Sequence, residues 1–112
     1  MSFEVYPTVD FQKAFKALAK HHRSLPADMR EFVKSLKKNP YQGTELSPGI
    51  RKIQIAITSK GRGKSGRARV ITYTFPQDEL EGRIYLIDIY DKSDADNVKL
   101  DVINDIVADM GM

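Results

Sequence analysis

The segment SKGRGKSGRAR, residues 59–69, contains the tripeptide Gly63-Lys64-Ser65, which occurs in the phosphate-binding loop of many ATPases. Such a loop also needs a glycine five residues before the tripeptide and a helix after it, because the helix N-terminal amides bind the phosphates. Thr58 occupies the position of that glycine. Residues 70–75 are β-branched and aromatic, and they predict a strand instead of a helix. The positive charge of this segment therefore needs another explanation.

Positive charge is concentrated in one part of the chain. Residues 48–71 contain seven basic residues and no acidic residue. Of the 18 basic and 15 acidic residues in the chain, this leaves 11 basic against 15 acidic residues elsewhere, a net charge of −4. The natural partners of such a segregated cationic surface are polyanions, and a basic hairpin that only aids solubility is the alternative. The seven residues are Arg51, Lys52, Lys60, Arg62, Lys64, Arg67 and Arg69.

Length and composition predict one small globular domain, residues 1–112. No apolar run approaches the roughly 18 residues that a membrane span requires, and the N-terminus does not resemble a secretion signal. The chain has no cysteine, which excludes disulfides and cysteine-ligated zinc and favours a reducing cytoplasm. We expect a cytoplasmic protein that does not bind membranes and has no small-molecule ligand.

Hydrophobic periodicity predicts the elements that would position the basic residues. Their order, β-α-α-β-β-β-α, indicates an α+β fold with a small antiparallel sheet packed on an N-terminal helical hairpin. The last strand is apolar on both sides and is expected to be central, with Ile84 and Leu86 opposite Tyr85, Ile87 and Ile89. The expected ranges are a strand at 3–6, a helix capped by Thr8, a helix capped by Ser24 and ending before Asn39, a loop at 41–49, strands at 52–57, 69–75 and 83–90, and a helix at 94–110.

The C-terminal helix is predicted to be amphipathic, with one apolar row and one acidic row. We expect it either to lie on the sheet or to extend away from it. One hypothesis is that the acidic row lies near the basic segment and competes with RNA. The apolar row is Val98, Val102, Ile106 and Met110, and the acidic row is Asp101, Asp105 and Asp109.

Catalysis by a pair of histidines is not expected. His21 and His22 fall near the end of the first predicted helix, where the helix dipole favours positive side chains, and we interpret them as surface residues. The run Asp94-Ala95-Asp96 lacks the glycine and the distal glutamate of a calcium loop and is interpreted as part of a helix N-terminus. We therefore expect no metal ion and no cofactor.

If the polyanionic partner is RNA, cationic side chains are the candidates for cleaving its phosphodiester bond. Attack by the 2′-hydroxyl needs a proton acceptor, stabilisation of the pentavalent phosphate and a proton for the leaving oxygen. Arg69 begins its strand beside the basic loop and could bind the phosphate through two parallel hydrogen bonds. Tyr90 could stack on a base or relay a proton, and Lys92 follows it on the same side. The predicted catalytic residues are Arg69, Lys64, Tyr90 and Lys92, and the predicted phosphate-binding residues are Arg51, Lys52, Lys60, Arg62 and Arg67.

Three runs of the sequence, taken in order, resemble the RelE/ParE superfamily of bacterial toxin–antitoxin toxins, in particular its RelE/HigB-like branch. They are NPYQGTELSPGIRKI, GRGKSG with RVI after it, and IYLIDIYDKSDADN. The resemblance covers nearly the whole chain. Gln54 departs from the pattern, because close relatives often carry a further arginine there, and Arg67 replaces the second glycine of a Gly-Gly turn.

The resemblance implies a compact RNase-like fold that enters the ribosome and cleaves mRNA, and that is held inactive by an antitoxin protein. Two alternatives remain open. One is a DNA gyrase inhibitor, the other activity of this superfamily. The second is a catalytically degenerate module that binds an antitoxin or RNA without cleaving it.

Overall fold

The computed structural model describes residues 2–60, 67–78, 81–92 and 100–109. This part of the chain forms a five-stranded sheet and three α-helices, which confirms the α+β class. The strands are β1 (Ser2–Pro7), β2 (Thr44–Ser47), β3 (Ile50–Ala56), β4 (Arg67–Pro76) and β5 (Glu81–Asp91). The helices are α1 (Val9–Ala19), α2 (Leu25–Lys38) and α3 (Leu100–Asp109), and a short 3-10 turn spans Thr58–Lys60.

The sheet is mixed, so the prediction of a purely antiparallel sheet is wrong. Its strand order is β1-β5-β4-β3-β2. β1 pairs in parallel with β5, whereas β2, β3, β4 and β5 pair antiparallel in succession. The four antiparallel strands follow one another directly in the chain. β1 is separated from them by both helices and lies at the edge beside the last strand, where hairpin geometry does not fix its direction.

β2 lies within residues 41–49, which were predicted to form a loop, and this prediction is wrong. The strand has four residues of mixed polarity, too few to show an alternating pattern. Two glycines with left-handed backbones flank it, Gly43 with φ 76° and Gly49 with φ 81°. A Cβ atom on Gly43 would lie 2.2 Å from the carbonyl oxygen of Lys52, so the glycine lets the chain pass closely beside β3.

Each face of the sheet carries its own apolar cluster. Val70 belongs to the cluster that includes α1 and α2, and its neighbour Ile71 belongs to the cluster that includes α3, because adjacent residues of a strand point to opposite faces. We call these the helical face and the α3 face. Ile84 and Ile87 of β5 lie in different clusters, which confirms that β5 is covered on both sides. The buried helix residues are Phe11, Leu25, Met29, Phe32 and Leu36 on the helical face and Ile103 on the α3 face.

A β-bulge in β5 changes which side chains share a face. Ile71 pairs with Asp88 and Thr72 pairs with Leu86, so Ile87 is an extra residue in β5. One inserted residue reverses the alternation beyond it. As a result Ile89 packs on the helical face, whereas simple alternation placed it with Tyr85 and Ile87.

The predicted cap of α1 and the predicted end of α2 before Asn39 are confirmed, whereas the side-chain cap of α2 and the apolar row of α3 differ from the prediction. Thr8 caps α1, since its hydroxyl oxygen accepts from the Phe11 amide at 3.1 Å. Ser24 precedes α2 without a capping hydrogen bond from its side chain. In α3 the side chain buried against the sheet is Ile103, whereas Val102 of the predicted apolar row is 51% exposed. Residues 94–99 and Met110 of the predicted helix lie outside the described residues.

Candidate nucleic-acid interface

Strand register places Gln54 and two of the predicted catalytic residues, Arg69 and Tyr90, in one row across the sheet. Gln54 of β3 is opposite Arg69 of β4, and Arg69 is opposite Tyr90 of β5. Side chains that are directly opposite lie on the same face with Cβ atoms about 5 Å apart. Tyr90 packs against the apolar cluster that contains Ile103 of α3, so the row lies on the α3 face.

Two further cations lie on the same face, because each is two residues away from a member of this row within its strand, and Lys92 comes directly after the end of β5. Lys52 precedes Gln54 in β3, Arg67 precedes Arg69 in β4, and Lys92 follows Tyr90. Arg67 contacts two other residues of this group. Its Nη1 lies 3.4 Å from Gln54 Oε1, and its carbonyl accepts a hydrogen bond from the Lys92 amide at 3.1 Å. We call this set the basic sheet cluster; it consists of Lys52, Gln54, Arg67, Arg69, Tyr90 and Lys92.

The basic sheet cluster is accessible at its cationic side chains, although two of its polar atoms are buried. Gln54 and Arg67 are exposed, and Lys52, Arg69 and Lys92 are partly exposed. The two buried atoms are Arg69 Nε and the hydroxyl oxygen of Tyr90. The Tyr90 hydroxyl has no hydrogen-bond partner among the described residues, and burial of such a group costs free energy.

The structure does not bring every predicted phosphate-binding residue to this cluster. The Arg51 side chain turns to the helical face, where its Nη1 donates to the Tyr41 carbonyl at 3.0 Å and its guanidinium lies 5.5 Å from the centre of the Tyr41 ring. Lys64 and Arg62 lie outside the described residues. Lys60 ends the 3-10 turn, and only its backbone is described.

His22 is a buried partner of Asp91, so its interpretation as a surface residue is wrong. Its Nε2 lies 3.2 Å from Asp91 Oδ2, and the two side chains are 12% and 4% exposed. His21 is exposed, as predicted. The preference for positive side chains at a helix end carries no information about β5. Because β5 ends beside α1, the Asp91 carboxylate lies next to the His22 imidazole. The contact attaches the helix end to the residue between Tyr90 and Lys92.

The described acidic side chains of α3 make no ion pair with the basic sheet cluster. Asp101, Asp105 and Asp109 are exposed and lie on the side of α3 opposite Ile103, and no described lysine or arginine is within 4 Å of them. The hypothesis that this row competes with RNA therefore finds no contact in the described chain. Burial raises the pKa of the half-buried Asp88 carboxyl; a hydrogen bond from the Ile89 amide opposes this shift, and the charge of Asp10 adds to it.

Two further features of the described residues concern metal binding and membrane crossing. They contain no group of three or more histidine or acidic side chains arranged to hold a metal ion. Separately, none of the described helices combines the length and the apolar composition needed to cross a membrane.

In comparisons with known proteins, no protein-family model matches the chain.

Proposed function

We propose that this protein is an endoribonuclease that cleaves mRNA on the ribosome, as its resemblance to RelE/HigB-like toxins implies, and that it binds the mRNA through the basic sheet cluster. The observation that carries the proposal is the alignment of Lys52, Arg67 and Arg69 beside Tyr90 on one face of three adjacent strands, with Lys92 directly after the end of β5. Four cations in this arrangement match the closely spaced charges of a nucleic-acid backbone. Cations spread over a surface for solubility would be interspersed with acids.

In the proposed mechanism the cluster stabilises the charge that develops on phosphorus. Arg69, at the centre of the row, binds the scissile phosphate through two hydrogen bonds, and Arg67 and Lys52 on either side bind the same or the adjacent phosphate. Removing one such donor typically costs about 10²–10³-fold in rate. Lys92 and Tyr90 are the candidates for exchanging protons with the attacking and leaving oxygens, and a role for Tyr90 requires that RNA binding uncover its buried hydroxyl.

The buried hydroxyl of Tyr90 favours a second candidate function, RNA binding without cleavage. A hydroxyl without exposed surface cannot exchange a proton with substrate in this arrangement, although the cationic side chains around it remain accessible. The two functions share the RNA surface and differ only in whether strands are cut. They are therefore separated by measuring cleavage and binding on the same variants.

We further propose that the chain adopts a RelE-like arrangement in the cytoplasm and is inhibited by an antitoxin protein. β1 is an edge strand of the sheet, and a disordered partner could add a strand there. This part of the proposal is supported by the sequence resemblance. Coexpression with the product of the neighbouring gene, followed by copurification, tests it.

The decisive experiment is brief expression in bacteria followed by mapping of mRNA 5′ ends. We expect new ends within translated reading frames for the wild-type chain and a loss of at least about 100-fold for Arg69→Ala. Arg69→Lys keeps the charge but loses the paired hydrogen bonds, so it should retain RNA binding with reduced cleavage. Arg30→Ala, an exposed arginine of α2, is the matched control and should cleave like wild type.

Two results would contradict the nuclease proposal. One is the absence of new 5′ ends while the wild-type protein is folded and expressed. The other is an Arg69→Ala variant with wild-type cleavage and wild-type thermal stability. If cleavage is absent but purified protein blocks DNA supercoiling by gyrase, the superfamily's other activity replaces it.

A further inference from the structure

A second basic surface lies at the turn between α1 and α2. Residues 11–27 contain four lysines and arginines, two histidines and no acidic residue. This run includes four consecutive basic residues, Lys20-His21-His22-Arg23, directly after α1. The C-terminal dipole of α1 favours a positive side chain here, but an effect confined to one helix turn does not require four in succession.

These residues line a groove rather than a flat surface. The groove has a volume of about 490 Å³, and Ser59 of the 3-10 turn forms its other wall. The two walls are fixed to each other, because the Ser59 amide donates to Ser24 Oγ at 2.8 Å and the Thr58 amide donates to Asp28 Oδ2 at 3.0 Å. We call it the α1–α2 groove; its lining residues are Ala19, Lys20, His21, His22, Arg23 and Ser59.

The acidic groups nearest the groove are already engaged. Asp28 accepts hydrogen bonds from both the amide and the hydroxyl of Thr58, and Asp91 lies against His22. In contrast, Lys20 and Arg23 are exposed, and no described carboxylate lies within 4 Å of either. A groove with two uncompensated cations and a serine hydroxyl has the donors that a phosphate group needs.

The α1–α2 groove adjoins the basic sheet cluster at the end of β5. Asp91 contacts His22 of the groove on the helical face. Its two neighbours in the chain, Tyr90 and Lys92, belong to the cluster on the α3 face. The two basic surfaces are thus separated by the end of a single strand, and a flexible chain of phosphates can reach both.

We propose that the α1–α2 groove binds a backbone phosphate of the RNA strand whose scissile phosphate lies in the basic sheet cluster. This inference rests on the proposed function. It assigns Lys20, Arg23 and Ser59 to RNA binding outside the reacting centre, where they contribute affinity and position the strand. An acidic peptide segment is the other polyanion of suitable charge; if the groove binds a peptide instead of RNA, substitutions in the groove will leave RNA affinity unchanged.

The first test measures binding of a single-stranded RNA oligonucleotide at several salt concentrations. For Lys20→Gln/Arg23→Gln we expect a roughly tenfold loss of affinity and a decrease of about 1.4 in the slope of log K against log salt, since each contact to single-stranded RNA contributes about 0.7. The control is Lys37→Gln/Lys38→Gln, which removes the same charge from exposed residues at the other end of α2. Equal effects of the two double variants would overturn the inference.

The second test uses the two histidines as probes, because the chain contains no others. We expect the imidazole proton signals of His21 to shift when the RNA oligonucleotide is added, and His21→Gln identifies the signal. Unchanged histidine signals during RNA binding would overturn the inference and leave the proposed function standing. If no RNA binds at all, both proposals fail. Groove variants that weaken binding, combined with an Arg69→Ala variant that loses the charge and still binds like wild type, would support the groove and contradict RNA binding by the cluster.

Discussion

The two basic surfaces of this protein carry similar charge but hold it in different ways. In the basic sheet cluster, Gln54, Arg69 and Tyr90 come from three strands, and hydrogen-bonded register fixes their spacing at about 5 Å. In the α1–α2 groove, Lys20, His21 and Arg23 follow one another at a helix end. These residues lie in the turn between α1 and α2, where no strand pairing fixes the spacing of their side chains.

This difference suggests a division of roles. Charges whose positions are fixed can stabilise a transition state more than the ground state, which is what catalysis requires. Exposed lysine and arginine side chains at a turn adapt to the phosphate and stabilise bound substrate and transition state about equally. We therefore expect substitutions in the cluster to lower the rate of cleavage and substitutions in the groove to lower affinity.

The contact between His22 and Asp91 connects the two surfaces, and a single substitution there should have the largest effect on the free energy of unfolding. His22→Ala removes the imidazole whose Nε2 lies 3.2 Å from the buried Asp91 carboxylate, and loss of a buried hydrogen bond to a charged group typically costs about 2 kcal/mol. We expect a decrease of that size in the free energy of unfolding, measured by urea denaturation. The neighbouring His21→Ala is the control, because His21 is exposed and its removal should cost less than about 0.5 kcal/mol.

Equal stabilities of the two alanine variants would show that the His22–Asp91 contact does not stabilise the protein. The same pair of variants also tests the coupling of the two surfaces. If the contact holds the end of β5 in place, His22→Ala should weaken RNA binding more than His21→Ala under conditions where both are fully folded.

Within the basic sheet cluster, Tyr90→Phe distinguishes cleavage from binding. The substitution removes a buried hydroxyl that has no partner in the described chain, so stability should be unchanged or slightly higher. If the hydroxyl exchanges a proton with RNA, cleavage should fall at least about tenfold while RNA affinity stays within about twofold. Wild-type cleavage by Tyr90→Phe would assign the proton transfer to another group and leave Tyr90 as a packing residue.

Local patterns in the sequence were sufficient for most elements but not for their arrangement. Helical spacing of Phe11, Phe15 and Leu18 predicted α1, and alternation of Ile53, Ile55 and Ile57 predicted β3. β2 was missed because a four-residue edge strand buries too little to impose a pattern. The parallel pairing of β1 with β5 joins segments about 80 residues apart, and nothing local encodes it.

The candidate site shows the same limit. Charge alone grouped Arg69 with Lys52 in the sequence. The position of Tyr90 beside them depends on the strand register and on the extra residue Ile87 in β5. Without that residue, Tyr90 would face α1 and α2. Arg51 has the same charge as its neighbour Lys52 and points to the other face. The α1–α2 groove could have been suspected, since residues 11–27 also lack acids. The burial of His22 required knowledge of where β5 ends.

The smallest expected effect concerns Asp88, which lies at the bulge that sets the register of the cluster. Burial raises the pKa of its carboxyl in the folded protein, so the carboxylate form is the unfavourable one. The stability associated with this group is complete below its unfolded pKa of about 4 and is lost as the pH rises through the higher folded value. Asp88→Asn should therefore be more stable than wild type at pH 7, and the difference should disappear at pH 3.

The amide oxygen of asparagine can still accept the hydrogen bond from the Ile89 amide, which lies 2.8 Å from Asp88 Oδ1, so the geometry of the bulge should be retained. Asp105→Asn on the exposed side of α3 makes the same change in net charge and is the control. Urea denaturation of both variants between pH 3 and pH 7 makes the comparison. Because Tyr90 depends on the same bulge for its position, RNA affinity should be unchanged in Asp88→Asn; a large loss would mean that the carboxylate itself maintains the register.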